Sequence, residues 1–203
     1  MPQILEPLPA MYEPTPKRIR WTRQQCSTLA DLGMITGRYE LIDGEIISKM
    51  GQKRWHALGV SLINAWLVSV FGIDFVLCQL PIEVPGEDNA YNEPEPDASV
   101  LTKPFNHFQL RTPGSEDVLL VIEVSDSSLR FDRTRKAALY ALAGISEYWV
   151  IDINGRQIFV HRLPEPSGYT EIVSYAEDQE VSTQFHPQGI LVSSLFPKKS
   201  ETI

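Results

Sequence analysis

Residues 118–124 read Val-Leu-Leu-Val-Ile-Glu-Val, a seven-residue apolar run broken by one carboxylate. A short run this rich in Val and Ile predicts a strand buried on both faces. Other patterns fall around it. Thr22-Arg23-Gln24-Gln25 fits a capping box, with Thr22 as N-cap, and predicts a short helix ending near Gly33. Residues 39–42 and 45–47 flank Asp43-Gly44, the signal of a tight hairpin. Leu58, Leu62, Ile63, Trp66, Leu67 and Val70 recur at helical spacing over 55–71, and Gly72 closes that helix. A strand is predicted over 75–80, continued after Pro81 by 82–84. A loop follows over 89–96, then a strand over 98–101 with Asp97 at its mouth. After the buried strand, 125–131 is polar. Asp132 then reads as the N-cap of a helix through Ala143, stopped by Gly144. Strands over 148–153 and 157–162 are joined at Asn154-Gly155, and 168–175 is one more strand. Helices interleaved with strands and hairpins give an α/β class with a mixed sheet.

Composition narrows the classes. The chain has 203 residues, 43% of them apolar and 22% charged, enough for one ordinary globular core. Its apolar runs fall short of the roughly 18 residues that cross a bilayer. The Pro-rich start lacks the layout of a signal peptide. A cytoplasmic location and no membrane partner are therefore expected. Residues 1–20 read as an extended arm and 197–203 as a frayed tail. Cys26 and Cys78 stand far apart, outside any metal spacing, and are expected to be reduced, buried and inert. A net charge of −8 argues against a dedicated nucleic-acid binder but not against an enzyme that touches nucleic acid transiently. Arg130, Arg133, Arg135 and Lys136 form one local basic cluster.

A carboxylate inside a buried strand costs several kcal/mol, on the order of 3–5, unless it is paired. Glu123 therefore asks for a partner. Asp97 and Glu123 sit at the ends of consecutive strands and converge if those strands are neighbours. Two close carboxylates raise a pKa or demand a cation. Mg²⁺ answers both, with Mn²⁺ as substitute, and the Val124 carbonyl can add one oxygen. The bland alternatives are a turn cap for Asp97 and an internal salt bridge to an arginine for Glu123. Lys136 falls early in the next helix, where a return from the Glu123 strand brings it near that strand's carboxyl end. There it could hold a water or steady a phosphate. The alternative is a solvated helix face. Tyr140 shares that face and packs against the lysine or contacts substrate. Glu45 and His56 form a second tier, as a further ligand or a supporting donor, against readings as a surface acid and a helix-end His. Glu40 reads as solvent-facing, the acids 87, 88, 93 and 95 as a solvated loop, and Tyr148 with Trp149 as core or dimer contact.

Pro96-Asp97 followed by Glu123 in a buried strand resembles the PD-(D/E)XK nuclease superfamily. Glu123-Val124-Ser125 lacks the lysine of that pattern, and some branches move it to the next helix, where Lys136 lies. Tyr39-Glu40-Leu41-Ile42-Asp43-Gly44-Glu45-Ile46, His56, Asp132 to Lys136 and Glu147-Tyr148-Trp149-Val150 resemble the Uma family of putative bacterial restriction endonucleases. The resemblance spans 21–196. It implies a single restriction-endonuclease-like domain there, a mixed sheet flanked by helices with hairpins added toward both termini. It implies Asp97, Glu123 and the Val124 carbonyl as Mg²⁺ ligands and Lys136 as the displaced catalytic lysine, acting on DNA phosphodiesters. Cutting both strands of a duplex favours a homodimer. Two other classes stay open: an inactive nuclease fold that binds nucleic acid or a protein partner, and a two-carboxylate sugar hydrolase.

Overall fold

A computed structural model describes residues 18–49 and 53–196. The expected tail at 197–203 and all but the last three residues of the expected arm lie outside them. The chain begins with α1 (Arg23–Asp31) and the antiparallel hairpin β1 (Tyr39–Ile42) and β2 (Glu45–Ser48). The capping box forms: Gln25 N–H donates to Thr22 Oγ1 at 3.2 Å, and Thr22 N–H donates to Gln25 Oε1 at 2.9 Å. Asp43 and Gly44 both take positive φ, +52° and +73°, as a tight hairpin turn requires.

The long helix α2 (Arg54–Phe71) leads to β3 (Val76–Cys78), β4 (Ala98–Leu101) and β5 (Val118–Ser125). A helical segment over 129–142 follows, made of α3 (Leu129–Phe131), a π-helical turn (Asp132–Lys136) and α4 (Ala137–Leu142). The strands β6 (Glu147–Asp152), β7 (Gln157–Glu165) and β8 (Gly168–Ala176) complete a six-stranded sheet in sequence order β3 to β8. Only the β5–β6 pair is parallel, and the segment 129–142 is its crossover. A two-stranded ribbon, β9 (Glu180–Val181) with β10 (Ile190–Leu191), and a 3₁₀ turn (Val192–Leu195) end the described chain.

Both faces of the sheet are covered, which explains the near-continuous apolar reading of β5. On one face Val60, Ile63, Trp66 and Leu67 of α2 pack on Leu120, Ile122, Val124 and Trp149. Trp66 stacks on Trp149 with centroids 5.5 Å apart. On the other face Ala137 and Tyr140 pack on Val121, Tyr148 and Val150. The C-terminal ribbon is tied down by the buried Glu147 carboxylate, which accepts from Thr183 Oγ1, Gln184 N–H, Trp149 Nε1 and Arg162.

Four details depart from the sequence pattern. The β3 strand stops at Cys78, because Gln79 turns at φ +52°. Ile82 and Val84 are buried without joining the sheet, where Glu83 makes one isolated bridge to Gly114. The crossover helix starts at Leu129, so Asp132 lies within it and is no N-cap. Cys78 is exposed while Cys26 is buried, and both thiols are free. Tyr148 and Trp149 are fully buried, in keeping with the core reading.

Candidate active site

Antiparallel pairing sets the site. Ala98 pairs with Ile122, so Asp97, one residue before β4, arrives beside Glu123 and Val124 near the end of β5. Asp97 Oδ2 accepts the Val124 N–H at 2.9 Å and lies 3.2 Å from His56 Nε2, while Oδ1 accepts from Gln79 Nε2 at 3.2 Å. Glu123 Oε1 accepts from Lys136 Nζ at 2.8 Å and from the Tyr140 hydroxyl at 2.9 Å. Lys136 Nζ also meets Glu40 Oε2 of β1 at 2.9 Å.

The π turn helps to aim these groups. Such turns insert a residue into a helix and recur at functional sites. Here Asp132 and Lys136 are both buried while Arg133 and Thr134 stay exposed. Asp132 Oδ2 accepts from Ser125 Oγ at 2.6 Å and Ser128 Oγ at 2.5 Å, and its carbonyl accepts from the Tyr148 hydroxyl at 3.0 Å. Glu40, Asp97, Glu123, Asp132 and Lys136 are each only 3 to 4% exposed. They floor a cavity of about 420 Å³ walled by β2, the start of α2 and the loop after β5.

Four carboxylates thus share one lysine and one imidazole. Burial pushes the Glu123 carboxyl up to about 8; the Lys136 ammonium opposes this, and the charges of Asp97, Asp132 and Glu40 add to it. Burial also raises Asp132 against the pull of Lys136 and its two serine donors. Burial would raise Asp97 too, but the His56 imidazole and the Val124 N–H outweigh it and hold that carboxyl below its usual range. For Lys136 burial works against the charge, yet Glu123, Glu40 and Asp132 keep it protonated.

The structure brings Asp97, Glu123, Val124, Lys136 and His56 to this one cavity. Glu45 stays outside it. Its carboxylate pairs with Arg135 at 2.6 Å and Arg18 at 2.8 Å, and Arg135 also reaches the Ile42 carbonyl, fastening the hairpin to the crossover helix. Glu40, read as solvent-facing, is buried on Lys136. Its local signal, an acid beside apolar residues in Tyr39-Glu40-Leu41-Ile42, is one that any half-solvated hairpin strand shares. Asp132, an N-cap by its local pattern and part of the 132–136 stretch in the family resemblance, is a buried acceptor for Ser125 and Ser128. Glu123 finds a lysine where an arginine was the alternative.

The donor chemistry suits a hard cation. Asp97, Glu123 and the Val124 carbonyl offer oxygen ligands, and the surplus of carboxylates is the charge a divalent ion offsets. Among the described residues no three His, Cys, Asp or Glu side chains are grouped to hold a metal. An ion here would keep several water ligands, as Mg²⁺ commonly does.

Residues 34–192 match the Uma2 family, described as putative restriction endonucleases. No curated protein matches the chain. Among solved structures, that of a putative nuclease belonging to DUF820 from Anabaena variabilis ATCC 29413 is similar, with a TM-score of 0.61 and 18% identity. The match covers 83% of this chain and 96% of that one, and it speaks for the fold.

Proposed function

The chain belongs to the Uma2 family of putative restriction endonucleases, and from that premise we propose that it is a metal-dependent endonuclease hydrolysing DNA phosphodiester bonds. One observation carries this reading. Two adjacent strands and the following helix deliver Asp97, Glu123 and Lys136 to one buried floor, with Lys136 Nζ 2.8 Å from Glu123. Asp97, Glu123 and the Val124 carbonyl are the groups to hold Mg²⁺, or Mn²⁺ in its place. When bound, the ion supplies a Lewis acid for the phosphodiester and lowers the pKa of a coordinated water. Lys136, kept protonated by its acidic neighbours, is placed to stabilise negative charge developing on the phosphate. Tyr140 and Glu40 fix the orientations of Glu123 and Lys136. His56 and the Val124 N–H hold Asp97 ionised and in place.

The test is cleavage of plasmid DNA by the purified chain with Mg²⁺ or Mn²⁺, alongside calorimetry of metal binding. Asp97→Ala and Glu123→Ala are expected to lose both signals. Cleavage that persists in chelator, or in both variants, overturns the reading.

A second reading is a nuclease fold that binds nucleic acid without cutting it. It is favoured by Lys136 already being engaged by two carboxylates. Metal and DNA binding without cleavage is its expected result.

A further inference from the structure

The floor of the cavity admits only a phosphate that can be drawn inward. The groups that would act on it are 3 to 4% exposed. A continuous duplex is stiff over roughly 150 base pairs and keeps its phosphates on the outside of a rod. A single strand can bend into a pocket without first paying for unpairing. The rim beside the cavity sets cations around one exposed aromatic. Lys53-Arg54-Trp55-His56 opens α2, with Lys53 and His56 lining the cavity and Arg54 and Trp55 exposed next to them. Trp55 is 48% exposed, and the Arg54 guanidinium lies 5.5 Å from its ring centroid. Arg54 makes no ion pair among the described residues. Cations interleaved with an exposed aromatic are the pattern that tracks a strand while stacking its bases. Across the mouth, Arg38 and Lys49 are both engaged by Glu95, so that side offers little free positive charge to a second strand.

We propose that this site takes single-stranded DNA, or the unpaired end of a duplex, with a phosphodiester entering the cavity, a neighbouring base stacked on Trp55, Arg54 on a flanking phosphate, and Lys53 joining it by exchanging its 3.0 Å pair with Asp126. The proposal rests on the nuclease reading for its chemistry, but its binding claim is testable without cutting.

The experiment measures binding of a short fluorescein-labelled oligonucleotide, and of a hairpin-closed duplex of the same sequence, in chelator. Cleavage of both is then followed after adding Mn²⁺. The single strand is expected to bind at least about tenfold tighter. Trp55→Ala should weaken single-strand binding about 5- to 150-fold, the range for one stacked base, and leave duplex binding unchanged. Trp55→Phe should keep the affinity. It should also lose most of the tryptophan quenching on binding, because Trp66 and Trp149 are buried and Trp21, 37% exposed, is held at the Gly44 turn away from the cavity lining. Equal or tighter duplex binding, or a Trp55→Ala effect equal on both probes, overturns the proposal and leaves the nuclease reading standing. Single-strand preference without cleavage of either probe sustains the proposal and removes the nuclease reading. Binding of neither probe overturns the proposal.

Discussion

Lys136 holds the charge balance of the site, because Glu40 and Glu123 both rest on its one ammonium at 2.9 and 2.8 Å. Buried ion pairs add little net stability, but removing one partner leaves a charge stranded. Lys136→Met is therefore expected to destabilise the fold by about 3–5 kcal/mol at neutral pH in urea denaturation. Adding Glu40→Gln and Glu123→Gln to it should recover most of that loss. Recovery that fails would mean the lysine stem, and not its charge, holds the floor. A second residue sets an acid limit. Burial pushes His161 down to about 4, with Nδ1 beside the Tyr148 carbonyl and Nε2 left without a partner among the described residues. The folded state resists protonation that the unfolded chain accepts near 6.5. Stability from this group is thus full above pH 6.5 and falls as pH drops toward 4, by roughly 2–3 kcal/mol. His161→Gln should flatten that part of the stability–pH curve, and an unchanged slope would assign it to other groups. Single residues were also where the sequence was most and least legible. Glu123 stood out because an acid interrupts an apolar run. Glu40 did not, because a four-residue strand in a hairpin normally keeps one face in water, and only the crossover helix laid against it buries that face.

At the scale of elements, the β1–β2 hairpin carries Glu40 to the site and depends on one turn. Gly44 sits at φ +73°, and a Cβ there would lie 2.5 Å from Arg20 Cβ and 2.8 Å from Arg20 Cα. Its N–H and C=O are both bonded, to Tyr91 and Trp21, so the turn cannot shift freely. Gly44→Ala is expected to cost about 1–3 kcal/mol by strain and contact. It should also loosen the grip of Glu40 on Lys136, read as a lower melting temperature together with weaker Mn²⁺ binding. A lower melting temperature with unchanged metal affinity would show that the hairpin does not shape the floor. Elements with local signals were read correctly from sequence: the capping box of α1, the Asp-Gly turn, the helical stripe of α2 and the buried strand β5. Elements set by long-range packing were not. Nothing local marks the π turn, since its geometry answers to Tyr148 on β6 and to Ser125 on β5. Nothing local said that Ile82 and Val84 would be buried without pairing, because the turn at Gln79 is held by the Asp97 carboxylate and carbonyl.

Across the whole molecule the charge is −8, and among the described residues most of the positive side chains already sit on carboxylates. Arg18 and Arg135 meet Glu45, Arg20 meets Asp43, and Arg23 meets Glu83 and Glu93. Arg38 meets Glu95, Arg111 meets Asp117, Arg156 meets Glu177, and Arg162 meets Glu147. A cation neutralised within the fold must give up that partner before it can neutralise a phosphate, so its net gain from displacing a counterion is small. Among the described residues Arg54, Lys103, Arg130 and Arg133 make no ion pair, and of these only Arg54 stands at the start of α2, so affinity there should come from Arg54, from Lys53 once it leaves Asp126, and from stacking. For a single strand the slope of log affinity against log salt is about −0.7 per phosphate neutralised. The expected slope is therefore only about −1 to −2. The residual affinity at high salt should be the part that Trp55→Ala removes. A slope of about −5 or steeper would require a continuous basic track. It would move the binding surface away from the rim of the cavity.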